Sequence, residues 1–338
     1  MTEEARATPG RPRTMTAVVQ DEYDSDPERV LRVAETALPA FADDEVLVRV
    51  RAASVDRGTW HLMAGLPYPI RLAGFGVRRP KHNPGRSFAG TVDAVGSRVR
   101  GFTPGEDVFG VCEGSFAEYV QASTEKLAPM PANLSFGESA AVPVSGLTAL
   151  QAVRDHARVQ PGEEVLVIGA SGGVGTFAVQ IAKAFGARVT GVCSTAKLDV
   201  VRALGADHVI DYTSEDFASG AHRYDAILDT GGNRRLSHLR RALTPSGRLV
   251  IVGGETGGRL LGGSDRQLRA TALSPFISQT LGTFIASENA GDLLALARLI
   301  EAGQVTPAVE RTYPLADVAA AIRHLLDGRA RGKVVVEV

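Results

Sequence analysis

The sequence predicts an α/β protein in which a doubly wound parallel sheet is inserted into a smaller, mostly β domain. Three observations predict it. Short valine-rich segments fill the first third of the chain, strands and helices alternate strictly through the middle, and one more valine-rich strand, KVVVEV, closes it. At 338 residues the chain exceeds what one hydrophobic core usually covers, so two domains are expected.

From Thr16 to about Leu127, the segments MTAVVQ, EVLVRVRAASV, GTVDAVG, EDVFGV and FAEYVQA alternate as half-buried strands do. Pro80, the Asn83-Pro84-Gly85 turn and Pro104-Gly105 punctuate them. Near Ser139 the texture changes to SAAVPVSGLTALQAV, an Ala-rich helical stretch interrupted by Pro143 and Gly146. VLVIG then reads as a buried strand. Val174 to Phe185 reads as a helix with Ala178, Ile181, Ala182 and Phe185 on one face. RVTGVC, LDVVRALG, HVIDY, AILDT, LSHLRRAL and RLVIVGG continue the alternation, which implies a parallel sheet covered on both faces. Two amphipathic helices, LLALARLIEAGQ and LADVAAAIRHLLDG, precede the closing strand. That strand resembles the β-rich first part, so the middle is read as an insertion. The expected division is a disordered extension over 1–14, the first part of a mostly β domain over 15–138, an alternating α/β domain over 139–287, and a hinge helix with the return to the first domain over 288–338.

Composition narrows the function classes. Hydrophobic content of 44% is ordinary for a globular protein, and a net charge of -1 gives no general reason to bind nucleic acid or a membrane surface. No apolar run approaches the roughly 18 residues of a membrane span. The first segment, MTEEARATPGRPRT, lacks the apolar stretch of a secretory signal. The two cysteines, Cys112 and Cys193, form no disulfide framework and fit a reducing cytoplasm.

The strongest local signal is VLVIGASGGVGTFAVQIAKAFGA, a buried strand running through a Gly-rich turn into a helix. In the Rossmann dinucleotide fingerprint its three small positions are Ala170, Gly172 and Gly175. The first allows the tight turn, the second lets backbone approach a pyrophosphate, and the third lets helix and strand pack closely. The helix N-terminus adds unsatisfied N–H groups and partial positive charge. NAD sites place an acidic residue at the end of the second strand, on the ribose 2'-OH. Here Cys193 holds that place, followed by Ser194, Thr195 and Lys197, with Tyr212 at the end of the third strand. Hydroxyls and an ammonium suit a 2'-phosphate that a carboxylate would repel, so the expected cofactor is NADPH.

These features, with AASVDRGTWHLMAG, GRSFAGTVDAVGSRVRGFTPGEDVFG, VPVSGLTALQAV, LGADHVIDY and RGKVVVEV, resemble the medium-chain dehydrogenase/reductase superfamily, in its zinc-free quinone-oxidoreductase-like branch. The resemblance runs from Thr16 to Val338. It implies a GroES-like catalytic domain, a Rossmann domain inserted in it, and a cleft between them where the cofactor meets substrate. Carried over, Ser171, Gly173 and Val174 would touch the pyrophosphate, and Ser194, Lys197 and Tyr212 the 2'-phosphate. Thr230 and Gly253 would contact the ribose and nicotinamide. Thr148 joins this cofactor set, Phe284-Ile285-Ala286 looks like the backbone clamp on the carboxamide, and Lys333 looks like a residue reaching the cofactor from the catalytic domain. The family also often forms homodimers through an edge strand, here expected near RLVIVGG.

Zinc-dependent relatives place ligands where this chain has Asp56, Arg86 and Val144. Arginine and valine are not ligands, and two cysteines cannot make a four-cysteine structural site, so no metal is expected. Hydride addition to a quinone or α,β-unsaturated carbonyl needs no Lewis acid, and the resemblance implies that substrate class. The branch usually has Val-Asn where Val55-Asp56 stands, an acid where Thr59 stands, and P-G-x-D where Pro84-Gly85-Arg86-Ser87 stands. Asp56 and Arg86 are therefore expected to face each other at the vacated metal position. Such a pair is either structural or a binder of a developing enolate or substrate carboxylate. Trp60 and Tyr68 are candidates for an aromatic wall or for core packing. His61 and Tyr68 are candidate proton donors, with solvent as the alternative. Two further readings of function stay open: a pathway-specific enoyl or ketone reductase of natural-product type, and an NADPH-binding sensor without turnover.

Overall fold

The structure, a computed structural model, describes residues 12–253 and 262–338. Of the expected N-terminal extension, residues 1–11 lie outside the described residues, while Thr14 already pairs with Ala37 in a strand.

Strands β1 (Thr14–Gln20) and β2 (Leu31–Ala37) pair antiparallel, joined through the short helix α1 (Pro27–Val30). There follow β3 (Glu45–Val55), α2 (Arg57–Ala64), β4 (Ser87–Val95), β5 (Asp107–Val111), β6 (Tyr119–Ser123) and β7 (Leu127–Pro129). Helices α3 (Phe136–Ala141) and α4 (Pro143–Gln151) lead into the alternating part. This comprises β8 (Glu164–Ile168), α5 (Gly173–Ala184), β9 (Arg188–Cys193), α6 (Leu198–Ala203), β10 (His208–Asp211) and β11 (Tyr224–Asp229). Then come α7 (Leu236–Ala242), β12 (Leu243–Ile251), α8 (Ser264–Leu273) and β13 (Thr280–Thr283). The chain closes with α9 (Ala290–Glu301), β14 (Val309–Pro314), α10 (Val318–Leu326) and β15 (Lys333–Glu337).

Two large sheets result. The parallel sheet has the order β10-β9-β8-β11-β12-β13, the doubly wound dinucleotide order, whose switch point falls between β8 and β11. Its central strand carries Val165, Leu166 and Val167, all fully buried, as a strand covered on both faces must. The other sheet runs β14-β15-β3-β4-β5-β7, with β6 on β3. The closing strand β15 pairs antiparallel with β3, Val334 opposite Val55, so the chain does return to its first sheet.

Two expectations are refined. RLVIVGG is not itself an edge strand, because β12 is flanked by β11 and β13; among the described residues the sheet's edges are β10 and β13, the latter beside β12. Pro143 separates α3 from α4 by standing at a first helical position, where its missing N–H costs nothing, but Gly146 does not interrupt α4. A Cβ at Gly146 would lie 3.1 Å from Leu296 of α9, so the glycine serves helix–helix approach. Helix α3 packs on β3, β4 and β15, so the expected boundary at 139 passes through an element that touches the first sheet. One hydrophobic cluster runs from Ala52, Phe109 and Val335 through α3 and α4 to Val165 and Val167, so these helices cement the two sheets.

Candidate active site

The site is built around the turn that leaves β8 at the switch point. Gly169 has φ +81°, and a Cβ there would lie 2.6 Å from Thr230 Oγ1. Gly169 therefore makes the tight turn, which corrects the assignment of that role to Ala170. Ala170 is instead buried against β9, where a Cβ on Gly191 would come within 3.1 Å of its methyl. Gly175 keeps its expected place: a Cβ there would stand 2.1 Å from Gly169 O. Gly172, the N-cap of α5, is extended and offers no side-chain cap, so the first N–H groups of this 12-residue helix stay available.

A cavity of about 390 Å³ opens onto that helix end. It brings together Ser171, Gly172, Gly173 and Val174 with Ser194, Lys197, Tyr212, Thr230 and Lys333, and also with Asp56. Sequence reasoning missed Arg57, Ser145, Asn233 and Arg234, which line it as well. The run GGNRRL after AILDT was the available signal for Arg234, since it leaves a strand at the ligand-binding end of the sheet.

At one end of the cavity, burial above all, with the neighbouring Asp211, pushes the Cys193 thiol up to about 11, so it stays neutral. Lys197 Nζ donates to Gly328 O and Ala330 O, each at 2.7 Å, and burial lowers its pKa. The Arg234 guanidinium lies 5.5 Å from the centre of the half-exposed Tyr212 ring, and its buried Nε has no hydrogen-bond partner among the described residues. Thr195 is turned away: its hydroxyl donates to Asp211 at 2.5 Å, and it does not line the cavity.

At the other end, Lys333 is 1% exposed and donates from Nζ to Val55 O and Ser145 Oγ, both at 3.1 Å. Burial lowers its pKa, and the charge of Asp56 opposes that shift. Asp56 caps α2, its Oδ1 accepting from Thr59 N at 2.9 Å, while its buried Oδ2 has no hydrogen-bond partner among the described residues.

Residues 42–132 match the family described as the alcohol dehydrogenase GroES-like domain, and residues 204–336 match that of zinc-binding dehydrogenases. The mitochondrial NAD(P)H oxidoreductase RTN4IP1 of Mus musculus is 32% identical, over 98% of this chain and 91% of its own. The 2-methylene-furan-3-one reductase of Solanum lycopersicum is 31% identical, over 90% of this chain and 74% of its own. In structure, the quinone oxidoreductase from Coxiella burnetii superposes with a TM-score of 0.80 at 28% identity, over 96% of this chain and 99% of that one. The chain belongs to the medium-chain dehydrogenase/reductase family. It is an oxidoreductase of the quinone-oxidoreductase-like kind, with a GroES-like domain and a Rossmann-like sheet.

A nicotinamide dinucleotide, the cofactor of such an oxidoreductase, fits the cavity. The uncapped start of α5 supplies N–H donors for its phosphates. Space beside them is tight, since a Cβ on Gly173 would lie 3.3 Å from Lys333 Cδ and Ser145 Oγ.

At the positions where zinc-dependent relatives of this family hold metal, the structure departs from expectation. Asp56 and Arg86 form no ion pair. Arg86 reaches Glu113 and Glu288, both at 2.5 Å, and Lys126 joins Glu288 at 2.9 Å. Glu288 carries two oxygens within 2.7 Å of Arg86 Nη2, while the Asp56 carboxylate turns one oxygen to its helix cap. Val144 donates its backbone N–H to Ser87 Oγ, and its side chain packs against the core. Among the described residues, no three His, Cys, Asp or Glu side chains gather to hold a metal ion.

Several other expected residues lie off the cavity. Trp60 donates from its indole to Ser25 O at 3.1 Å and packs with the core around β15, so it is no wall of the cavity. His61 Nδ1 lies 2.9 Å from Leu66 O. Tyr68 is 39% exposed beside Arg71. Thr148 bonds back to Val144 O within its own helix. Gly253 gives its carbonyl to Arg266. Phe284 stacks on His156 at 4.1 Å, Ile285 is 97% exposed, and Ala286 follows in irregular chain.

Proposed function

We propose that this chain is an NADPH-dependent reductase that delivers hydride to a quinone or an α,β-unsaturated carbonyl without a metal. The observation that carries the reading is the adenosine end of the cavity, where the neutral Cys193 thiol stands in place of an acid. There Ser194, Lys197 and the Arg234–Tyr212 pair present hydroxyl and cationic groups. NADPH, when bound, supplies the hydride. Ser171, Gly173, Val174 and the start of α5 hold its phosphates. Lys333, fixed by Val55 O and Ser145 Oγ, presents its remaining N–H to the inner end of the cavity. The name of the tomato relative, a furanone reductase, supports a conjugated carbonyl as acceptor. The homodimer expected of the family would use the β13 edge, which has the exposed Phe276 and Ile285 beside it.

NADPH should bind at least ~10-fold more tightly than NADH, since one lost charge-assisted contact costs about 1.5–3 kcal/mol. Fluorescence titration with both cofactors checks this. The double variant Lys197→Ala/Arg234→Ala should bind both equally. Equal affinities in the unaltered protein, or no consumption of NADPH with any quinone or enone, would sink the reading.

The zinc-free part rests on the donor set: Arg86 is held in ion pairs and Val144 has no side-chain donor. Protein purified without added metal should contain less than about 0.1 zinc per chain by elemental analysis and keep its activity in a chelator. Activity lost to the chelator and restored by zinc would contradict it.

A further inference from the structure

The 36 residues from 57 to 92 contain Arg57, Arg71, Arg78, Arg79, Lys81 and Arg86 and no Asp or Glu. Elsewhere acids are common, at 38 in 338 residues, and a stretch of this length would hold about four. The chain as a whole is nearly neutral, so the segment is a strongly cationic island.

Half of those cations are occupied within the protein. Arg71 donates to Gly65 O at 2.9 Å and lies between the rings of Tyr23 and Tyr68. Arg86 is bound to Glu113 and Glu288, and Arg57 stands 5.2 Å over the Trp60 ring. Arg78, Arg79 and Lys81 are different. All three are exposed, and among the described residues none has an ion pair or a side-chain hydrogen bond.

The loop that carries them is fixed in shape. Tyr23 Oη lies 2.8 Å from Phe75 O and 2.7 Å from Gly76 O, and Lys81 N donates to Phe75 O at 3.0 Å. Gly76, at φ +105°, passes so close to Arg79 that a Cβ would stand 2.1 Å from its carbonyl oxygen. The segment also belongs to the cleft. It begins at Arg57 on the cavity wall and ends at Arg86, which is tied across to Glu288. Midway, Pro67 rests on Gly262, where a Cβ would be 2.8 Å from its ring. Tyr68, Leu72 and Val77, all exposed, precede the cations along the same stretch.

Resting on the reductase reading above, we infer that the acceptor is an enoyl thioester of coenzyme A, whose phosphates are held outside the cleft by Arg78, Arg79 and Lys81. The charge complementarity is direct, and the exposed apolar side chains match the uncharged arm that joins the phosphates to the thioester. An anionic bilayer is the poorer occupant, because surface attraction of that kind generally takes four to eight clustered cations. The reaction is unchanged by the handle. Hydride adds to the β-carbon, the C=C electrons move onto the carbonyl, and water protonates the α-carbon.

The test compares a trans-2-enoyl-CoA, the same acyl group on pantetheine, and a neutral enone, using the full chain and the triple variant R78E/R79E/K81E. Wild type should favour the CoA ester over the pantetheine ester by roughly 3–100-fold in kcat/KM at low salt, as three exposed charge contacts allow. The advantage should fall in 0.5 M salt and vanish in the triple variant, while enone reduction stays unchanged. Equal use of the two thioesters with the enone still reduced would overturn the inference and leave the reductase reading standing. Calorimetric binding of free coenzyme A reads the same site without turnover. Binding lost in the triple variant supports the site even if no acceptor is reduced. No binding to wild type, or charge-dependent sedimentation with phosphatidylserine vesicles in its place, would overturn it.

Discussion

Gly175→Ala should abolish measurable dinucleotide binding and lower the melting temperature of the nucleotide-binding part. The added methyl would stand 2.1 Å from Gly169 O, 2.8 Å from Gly169 C and 2.9 Å from Ala170 Cα, all backbone atoms of the turn. None of these is the flexible end of a side chain, so α5 must move off β8 or the turn must open. Overpacking of this sort costs roughly 1–3 kcal/mol or more. A displacement near 1 Å of the phosphate cradle costs on the order of 100-fold in function. Gly172→Ala is the matched control. Gly172 is extended, and its Cβ would meet only Gly169 O at 3.3 Å, so stability should be nearly unchanged while the methyl obstructs the phosphates. Calorimetric unfolding and cofactor titration of both variants check this. Wild-type affinity in Gly175→Ala would refute the packing argument.

The same turn shows what a sequence can disclose. A buried strand, a Gly-rich turn and a helix are local features, and each glycine there answers a backbone requirement that a single chain segment makes visible. The subtler division of labour was hidden. Gly169 and Ala170 are both small, and the left-handed φ at Gly169 together with the closeness of Thr230, just past β11, decides which of them must lack a Cβ. The parallel sheet and the return of the closing strand to the first sheet were likewise legible, from the strict strand–helix alternation and the extra strand after the last helix, while the strand order was not.

Side-chain partnership was not legible. Arg86 and Glu288 are 202 residues apart, and no pattern near either names the other. The positions of metal ligands in relatives place the backbone of Asp56 and Arg86 in one region, but they leave side-chain direction open. Asp56 begins a helix, and the unsatisfied N–H of Thr59 claims its carboxylate. The same holds for Lys197, whose ammonium was expected at a phosphate and also serves two carbonyls beyond α10. Ser145 entered the cavity from a helical segment in which one serine looks like any other.

The second large effect is expected at Asp229 and Arg266, a pair that ties the end of β11 to α8 at the ligand-binding side of the sheet. Asp229 is fully buried. Its Oδ2 accepts from Arg266 Nη1 at 2.5 Å and its Oδ1 from Gly232 N at 3.1 Å. Arg266 also donates to Arg234 O and Gly253 O, so one guanidinium fixes three stretches of chain around the cavity. Arg266→Leu should destabilise the protein by ~3–5 kcal/mol, because it strands a buried carboxylate. Asp229→Asn/Arg266→Leu should recover part of that loss, and a double-mutant cycle isolates the coupling. The pH dependence has a definite sign. Burial raises the pKa of Asp229 above its ordinary 3.8, and Arg266 only partly opposes this. The folded state then binds more protons than the unfolded state between 3.8 and the raised value, so stability falls as pH rises through that window. Without Arg266 the raised value climbs further and the window widens upward. The gap between wild type and Arg266→Leu should therefore be smallest in acid and grow with pH, as followed by denaturant unfolding from pH 4 to 8. A gap independent of pH would mean that the arginine acts through its carbonyl contacts alone and that the carboxylate is not the group it serves.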